Sequence, residues 1–376
     1  MFDHQDALDA LNRNIPISEK LSFLHTFLRN KFDFIDRIAI ALHEEKSDTL
    51  KTFIYSNTNN EPTLVRYESS LSGAPSLLEI LKKGRPRVVN DLDIFNAGSS
   101  LHTQRIQVSG FGSSYTMPMY SSGSFFGFIF FNSYRKDVFT EPALHYLDLF
   151  GHLLSLTVIS EIANIQTLLA SVKTANDIVH HRDFETGAHL DRMANYSRLI
   201  ANHVADKYQL NDELIEHIFL FSPLHDIGKI SVADSILLKP GKLDPEQYEA
   251  MKKHTTKGRE IIDDILNNFG LGNMAHVDIL RNIAQSHHEA VNGSGYPDGL
   301  KEHEIPIEAR IVAVADVFDA LTSRRPYKEP WSNQDAFDYL LEMAGTTFDR
   351  DCVDALIEQS EAIERIQEYF RENARA

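Results

Sequence analysis

The sequence predicts a multidomain protein: a mixed α+β domain at the N-terminus, a long linker helix, and a C-terminal domain that is all-α. Three observations predict it. The chain has 376 residues, of which 43% are hydrophobic, enough to bury a sizeable core and, at ordinary domain sizes, to build two. Strand-like apolar runs end near residue 135, and from residue 141 the apolar spacing alternates threes and fours, the period of a helix face. Eleven of the seventeen histidines fall between His180 and His303, so the candidate chemistry gathers in the helical half.

In the first region the strand-like runs are Ile35 to Leu42, Thr52 to Tyr55, Ser114 to Tyr120 and Phe125 to Asn132. Turn-rich Ser, Gly and Asn segments separate them. A helix precedes them and a short helix near Ser76 to Lys82 interrupts them. Ser121-Ser122-Gly123 reads as a hairpin turn. In the strand after it, Phe126, Phe128 and Phe130 alternate with Phe125, Ile129 and Phe131, so both faces are apolar, as in a central strand covered on each side. Phe111, Tyr115 and Phe126 read as packed core in preference to a ligand pocket. This order of elements resembles a GAF-type sensory domain in pattern, without a specific motif. A GAF-like domain over residues 1–140 implies a sensor for an unknown ligand.

Residues 141–182 predict the linker helix. Leu147, Phe150, Leu154, Val158, Ile162, Ile165, Leu169, Val172 and Val179 form an apolar seam with one polar position, Asn176. A single polar seam residue fixes register in a parallel coiled coil, which predicts a homodimer; the alternative is a helix packed on its own domains. Residues 183–370 are helical, with breaks at Pro223, Pro240, Gly270 to Gly272, Gly293 to Pro297 and Pro330.

Composition excludes several classes. A formal net charge of -17 repels phosphate backbones, so nucleic-acid polymers are not expected partners. No uninterrupted apolar run reaches the roughly 18 to 20 residues of a bilayer span, and the N-terminus is acidic and polar where a signal peptide is basic and then apolar. The expectation is a cytoplasmic protein without membrane contact. One cysteine, Cys352, rules out an intrachain disulfide and a multi-cysteine metal site. A metal would have to be held by histidine and carboxylate.

Those residue types occur in a telling pattern. Glu185 and His189 lie four residues apart at the start of a helix and share one face. His225 and Asp226 are adjacent and are followed by Gly228 and Lys229; then come His254, the doublet His287-His288 with Glu289, and Asp316 with Asp319. Asp316 and Asp319 sit in the apolar run Ile311 to Leu321, where burying two carboxylates costs several kcal/mol unless a cation or hydrogen bonds compensate. Each pair alone has an ordinary explanation as surface chance or a satisfied core group.

Together they carry a specific resemblance. Leu224-His225-Asp226-Ile227-Gly228-Lys229-Ile230, His287-His288-Glu289 through Gly293-Ser294-Gly295-Tyr296-Pro297, and Asp316 through Ser323 with Arg325-Pro326-Tyr327 resemble the HD-GYP family over roughly residues 170–365. The resemblance implies an HD-type helical fold and metal-dependent hydrolysis of cyclic di-GMP, to linear dinucleotide or on to GMP. It implies metal ligands at His189, His225, Asp226, His254, His287, His288 and Asp316. Glu185 is similar to the subgroup that holds three metals. Two or three divalent ions are thus implied, iron or manganese by resemblance, while the ligand types alone also allow zinc.

The resemblance implies that catalysis falls to Asp226, which would bridge two ions sharing a water, and to Lys229, one turn past His225 and placed to donate to the scissile phosphate. Arg325 and Lys328 match positions that hold the other phosphate, and Gly295, Tyr296 and Asp319 complete the implied substrate contacts. Asn292 and Thr255 depart from the usual Asp and Pro of the family, which touches the choice between cyclic di-GMP and a related cyclic dinucleotide. The competing expectations are a catalytically weak cyclic di-GMP receptor or metal/redox sensor using the same site, and an HD-type phosphohydrolase of ordinary nucleotides.

Overall fold

The computed structural model describes residues 6–45, 47–58, 64, 66–95, 108–179, 187–272, 274–323 and 329–373. They fall into two units, Met1–Asn164 and Ile165–Ala376.

In the first unit, helix α1 (Ile17–Arg29) turns Leu21, Leu24 and Leu28 inward at helical spacing. Strands β1 (Arg37–Glu44), β2 (Thr49–Asn57) and β3 (Glu68–Ser70) follow, then α2 (Pro75–Lys83) and β4 (Arg87–Val89), then β5 (Ser113–Ser121) and β6 (Ser124–Ser133). Helix α2 stops at Gly84, whose φ of 60° is the left-handed conformation a helix C-terminus favours in glycine. The six strands make one antiparallel sheet in the order β3-β2-β1-β6-β5-β4. β5 and β6 are joined by Ser122 and Gly123, both with positive φ, the tight turn whose twist matches a hairpin. β6 is flanked on both sides, as its two apolar faces predicted. Tyr115 donates to Asp148 on the face covered by the following helix, whereas Phe111 packs with Val89 and Leu92 on the other side of the sheet.

Helix α3 (Glu141–Val179) is continuous, and the unit boundary falls inside it. Its seam residues Leu147, Leu154, Val158, Ile162 and Ile165 are buried within the single chain. The apolar side chains left outside are Tyr146, Leu149 and Leu156. The seam's polar position, Asn176, and Val172 and Val179 lie outside the described side chains. By mean hydropathy, 1.5 within Glu141–Ser171, this helix is long and apolar enough to cross a membrane. The count of uninterrupted runs missed it because Ser155, Glu161 and other polar residues punctuate the stretch. A helix packed on its own domain passes the same test.

The second unit is helical throughout its described elements: α4 (Gly187–Tyr208), α5 (Asp212–Phe221), α6 (Asp234–Leu237), α7 (Pro245–Lys252), α8 (His254–Asn268), α9 (Val277–Ser286), α10 (Ile307–Thr322), α11 (Asn333–Met343), α12 (Arg350–Ile357) and α13 (Ser360–Asn373). Side-chain caps begin several of them: Asn211 accepts from Leu214 N at 2.8 Å, and Asp244 and Gln247 form a reciprocal capping box. α10 is the core helix, with Ala309 through Ala315 and Phe318 buried. Phe318 packs between Tyr196 of α4 and Phe337 of α11, with ring centroids 5.2 and 5.4 Å away.

Candidate metal centre

Short approaches of backbone bring the ligand-bearing segments together. His225 and Asp226 lie between the 3-10 turns Ser222–Leu224 and Ile227–Ser231. Gly228 presses against the first turn of α8: a Cβ there would lie 1.8 Å from the His254 carbonyl oxygen and 2.5 Å from the Gly258 nitrogen. Only glycine permits that contact, which places Asp226 Oδ1 3.1 Å from His254 Nε2. His287 caps α9, and α4 and α10 supply His189 and Asp316.

Two groups of side chains converge. Asp226, His254, His287 and His288 form one, and His189, His225 and Asp316 the other, with ligand atoms within 4.8 Å of one another in each. Asp226 faces both: Oδ2 lies 3.2 Å from His225 Nε2, while Oδ1 faces His254 Nε2 and, at 3.7 Å, His287 Nε2. Asp316 Oδ1 lies 3.8 Å from His225 Nε2 and 4.0 Å from His189 Nε2.

The histidines are oriented from behind. His225 Nδ1 meets the Ser222 carbonyl at 2.9 Å, His254 Nδ1 the Met251 carbonyl at 2.7 Å, and His287 Nδ1 the Ile283 carbonyl at 2.9 Å. A carbonyl only accepts, so each Nδ1 carries the proton and each Nε2 presents a lone pair to the centre. Among the described residues, the Nε2 atoms of His254 and His287 and Asp226 Oδ1 are buried without a hydrogen-bond partner. Acceptors clustered in this way repel one another unless a cation sits among them, so the donor set fits a divalent metal. Burial pushes His287 below the usual histidine range and, with neighbouring His287, pushes His288 well below it. Burial alone would raise the Asp226 pKa, but the Lys229 ammonium and His225 hold it well below the carboxylate range.

Asp316 and Asp319 have separate fates. Asp319, expected to touch substrate, is fully buried and its carboxylate is occupied. His189 Nδ1 approaches at 2.6 Å, Arg192 donates from Nε and Nη2 at 2.7 and 2.8 Å, and Ser323 Oγ donates at 2.9 Å. It is therefore a holder of His189. Hydrogen bonds compensate it, while Asp316 one turn earlier faces the centre. Arg192 was missed in the sequence, although its place three residues after His189 and the need of a buried acid for a cation were the available signal. Asp319→Asn is expected to lower metal affinity about 10- to 100-fold, the scale for removing such an orienting partner. Competition with a chelator checks it, and unchanged affinity contradicts the assignment.

Lys229 Nζ lies 2.6 Å from Asp226 Oδ2, at the edge of the centre. Tyr296 packs its ring 4.9 Å from that of His288 and 6.3 Å from that of His254. Gly295 is required by packing: a Cβ would lie 2.2 Å from the Ala290 nitrogen, so its structural part is close approach of the loop. The loop is tied by Glu289, whose buried carboxylate accepts from the backbone N–H of Asp298, Gly299 and Leu300 at 2.7, 3.1 and 3.0 Å. Glu185, Arg325 and Lys328 lie outside the described residues.

Residues 174–352 match the HD domain family. Among relatives, the cyclic di-GMP phosphodiesterase response regulator RpfG of Xanthomonas campestris pv. campestris (strain 8004) is 45% identical over 188 residues, 50% of this chain and 47% of that protein. The 3'3'-cGAMP-specific phosphodiesterase 2 of Vibrio cholerae serotype O1 (strain ATCC 39315 / El Tor Inaba N16961) is 37% identical over 202 residues, 52% of this chain and 37% of that protein. The chain spans about half or less of the length of these relatives. A solved phycocyanobilin-bound GAF domain from a cyanobacterial phytochrome is similar at 15% identity and a TM-score of 0.34, covering 42% of this chain and 96% of that one.

Proposed function

We propose that the second unit is a metal-dependent phosphodiesterase that opens cyclic di-GMP to the linear dinucleotide. The observation that carries this reading is the convergence of unsatisfied imidazole lone pairs on Asp226. His189, His225, Asp226, His254, His287, His288 and Asp316 would hold two divalent ions, with one Asp226 oxygen turned to each group. Bound there, the ions would neutralise phosphate charge and lower the pKa of a shared water towards neutrality. The chain's own residues do the rest. Lys229 adds a cation at the rim of the centre where a phosphate oxygen would lie. Tyr296 offers a ring face beside His288 to a base. The buried histidines keep bulk water from the reacting side.

Relatives named for cyclic di-GMP and for 3'3'-cGAMP support the cyclic dinucleotide class. Arg325 and Lys328 remain the proposed holders of the second phosphate. Glu185 is assigned to a third ion: metal analysis of Glu185→Ala is expected to show one ion fewer than the unaltered chain, and equal stoichiometry removes that assignment. Iron or manganese is the proposed metal. Control by residues 1–140 and pairing with a second copy through α3 belong to the same proposal. Leu149 and Leu156, seven residues apart and 70% and 67% exposed, are the line on which the copy would pack, so a dimer mass in solution should become monomeric in the Leu149→Glu, Leu156→Glu variant.

The deciding experiment incubates anaerobically purified, iron- or manganese-loaded protein with cyclic di-GMP and follows products by chromatography beside Asp226→Ala. Linear product absent from the variant supports hydrolysis. Tight stoichiometric binding without product supports the receptor reading instead.

A further inference from the structure

Helix α7 ends beside the candidate metal centre and carries a cation towards it. Tyr248 and Lys252 stand four residues apart on α7 and so share a face. The end of the helix is tied to the centre by backbone: the Met251 carbonyl accepts from His254 Nδ1 at 2.7 Å. Lys252 therefore leaves the chain between that carbonyl and a candidate ligand. Its Nζ lies 4.9 Å from the centroid of the Tyr248 ring and 5.6 Å from that of Tyr296. Tyr296 in turn lies against His288 and His254. One ammonium thus joins a ring of α7 to the ring of the loop that borders the centre.

The surroundings of Lys252 suit a nucleobase. Tyr248 is 49% exposed, so its ring is offered outward. Burial, and after it the charges of Tyr248 and Asp226, holds the Tyr296 phenol above its usual range; the ring stays neutral and borders both α7 and the centre. The carboxylate on Lys252 is that of Glu249, at 2.7 Å and with a side chain 67% exposed. A surface pair of this kind is worth little against water, so Lys252 can exchange it for another acceptor. An ammonium donates and never accepts. The edge of guanine that carries O6 and N7 presents two acceptors to it, whereas the same edge of adenine sets an N6 amino donor beside N7.

We propose that Lys252 selects guanine: the base that stacks on Tyr296 turns its O6 and N7 edge to the Lys252 ammonium, with Tyr248 closing the outer side. This role rests on the cyclic dinucleotide reading above and adds to it the residue that sorts one base from another. Lys229, paired with Asp226, serves the phosphate; Lys252, set among two tyrosine rings, serves the base.

Equilibrium dialysis and initial rates on the metal-loaded full chain, each with cyclic di-GMP and with cyclic di-AMP, test this. The unaltered chain is expected to favour cyclic di-GMP at least about tenfold in Kd and in kcat/KM, the scale of one charge-assisted contact to a base edge. Lys252→Met keeps a long side chain between the rings and removes the donor, so it should lower that preference about tenfold by weakening cyclic di-GMP. Lys252→Arg, whose fork also donates to O6 and N7, should retain it. A preference unchanged in Lys252→Met overturns the proposal, whether both ligands weaken together, as for a phosphate contact or a structural staple, or neither does. Guanine-selective binding that depends on Lys252 but leads to no turnover overturns the phosphodiesterase reading and leaves the role of Lys252 standing. Turnover without a preference for guanine does the reverse, and binding of neither ligand overturns both.

Discussion

Asp226→Asn is expected to lower turnover of a cyclic dinucleotide by about 10³-fold or more, equivalent to roughly 4 kcal/mol of transition-state stabilisation. The side chain keeps its shape, so the loss reports on charge. In the unaltered chain both carboxylate oxygens face imidazole nitrogens, Oδ2 towards His225 and Oδ1 towards His254 and His287. Asparagine replaces one acceptor by an N–H₂ donor, which would hydrogen-bond an imidazole lone pair and remove it from the ligand set. The variant should therefore bind fewer metal ions while retaining its helical circular dichroism. Full turnover with a full metal complement would refute the proposed bridging role of Asp226.

Gly228→Ala is the second large effect, and it acts without touching a ligand. Its Cβ has no room: the His254 carbonyl would be 1.8 Å away and the Gly258 nitrogen 2.5 Å away, both backbone atoms. The turn carrying Asp226 must then move from the helix carrying His254. Overpacking of this kind costs about 1–3 kcal/mol in stability, and displacing a reacting group by about 1 Å costs about 10²-fold in rate. The expected result is a lower melting temperature together with metal content below that of the unaltered chain. A variant that melts and loads metal normally would show that the turn has slack.

How much of this was visible beforehand depends on the residue. The strands, the hairpin at Ser122-Gly123 and the helical second half follow from period and turn chemistry, which are local. The candidate ligands could be named because imidazole and carboxylate are chemically distinctive and their motifs are dense. Asp319 was misread because its sequence context is the same as that of Asp316: both lie in one apolar helix, three residues apart. What separates them is which neighbour each meets, and Arg192 and His189 come from a helix more than a hundred residues earlier. At Gly295 too the packing is invisible in the sequence, since the contact that requires glycine there is with Ala290 across a folded-back loop.

The N-terminal sheet makes the same point. Alternation in β1 and β6 shows that both faces are apolar, yet not which residues stand side by side on each. That follows from the register, which sets Ala39 opposite Phe130 and Arg37 opposite Asn132. Likewise the seam of α3 is legible as a stripe, but its burial in the single chain is seen only in the folded structure. By itself the sequence determined the periods, the turns and the kinds of donor available, because these depend on residues near in the chain. The tertiary structure decided which carboxylate faces the centre, which glycine admits a close approach and which lysine meets the Tyr296 ring, because each of these is a contact between segments the chain brings together only on folding.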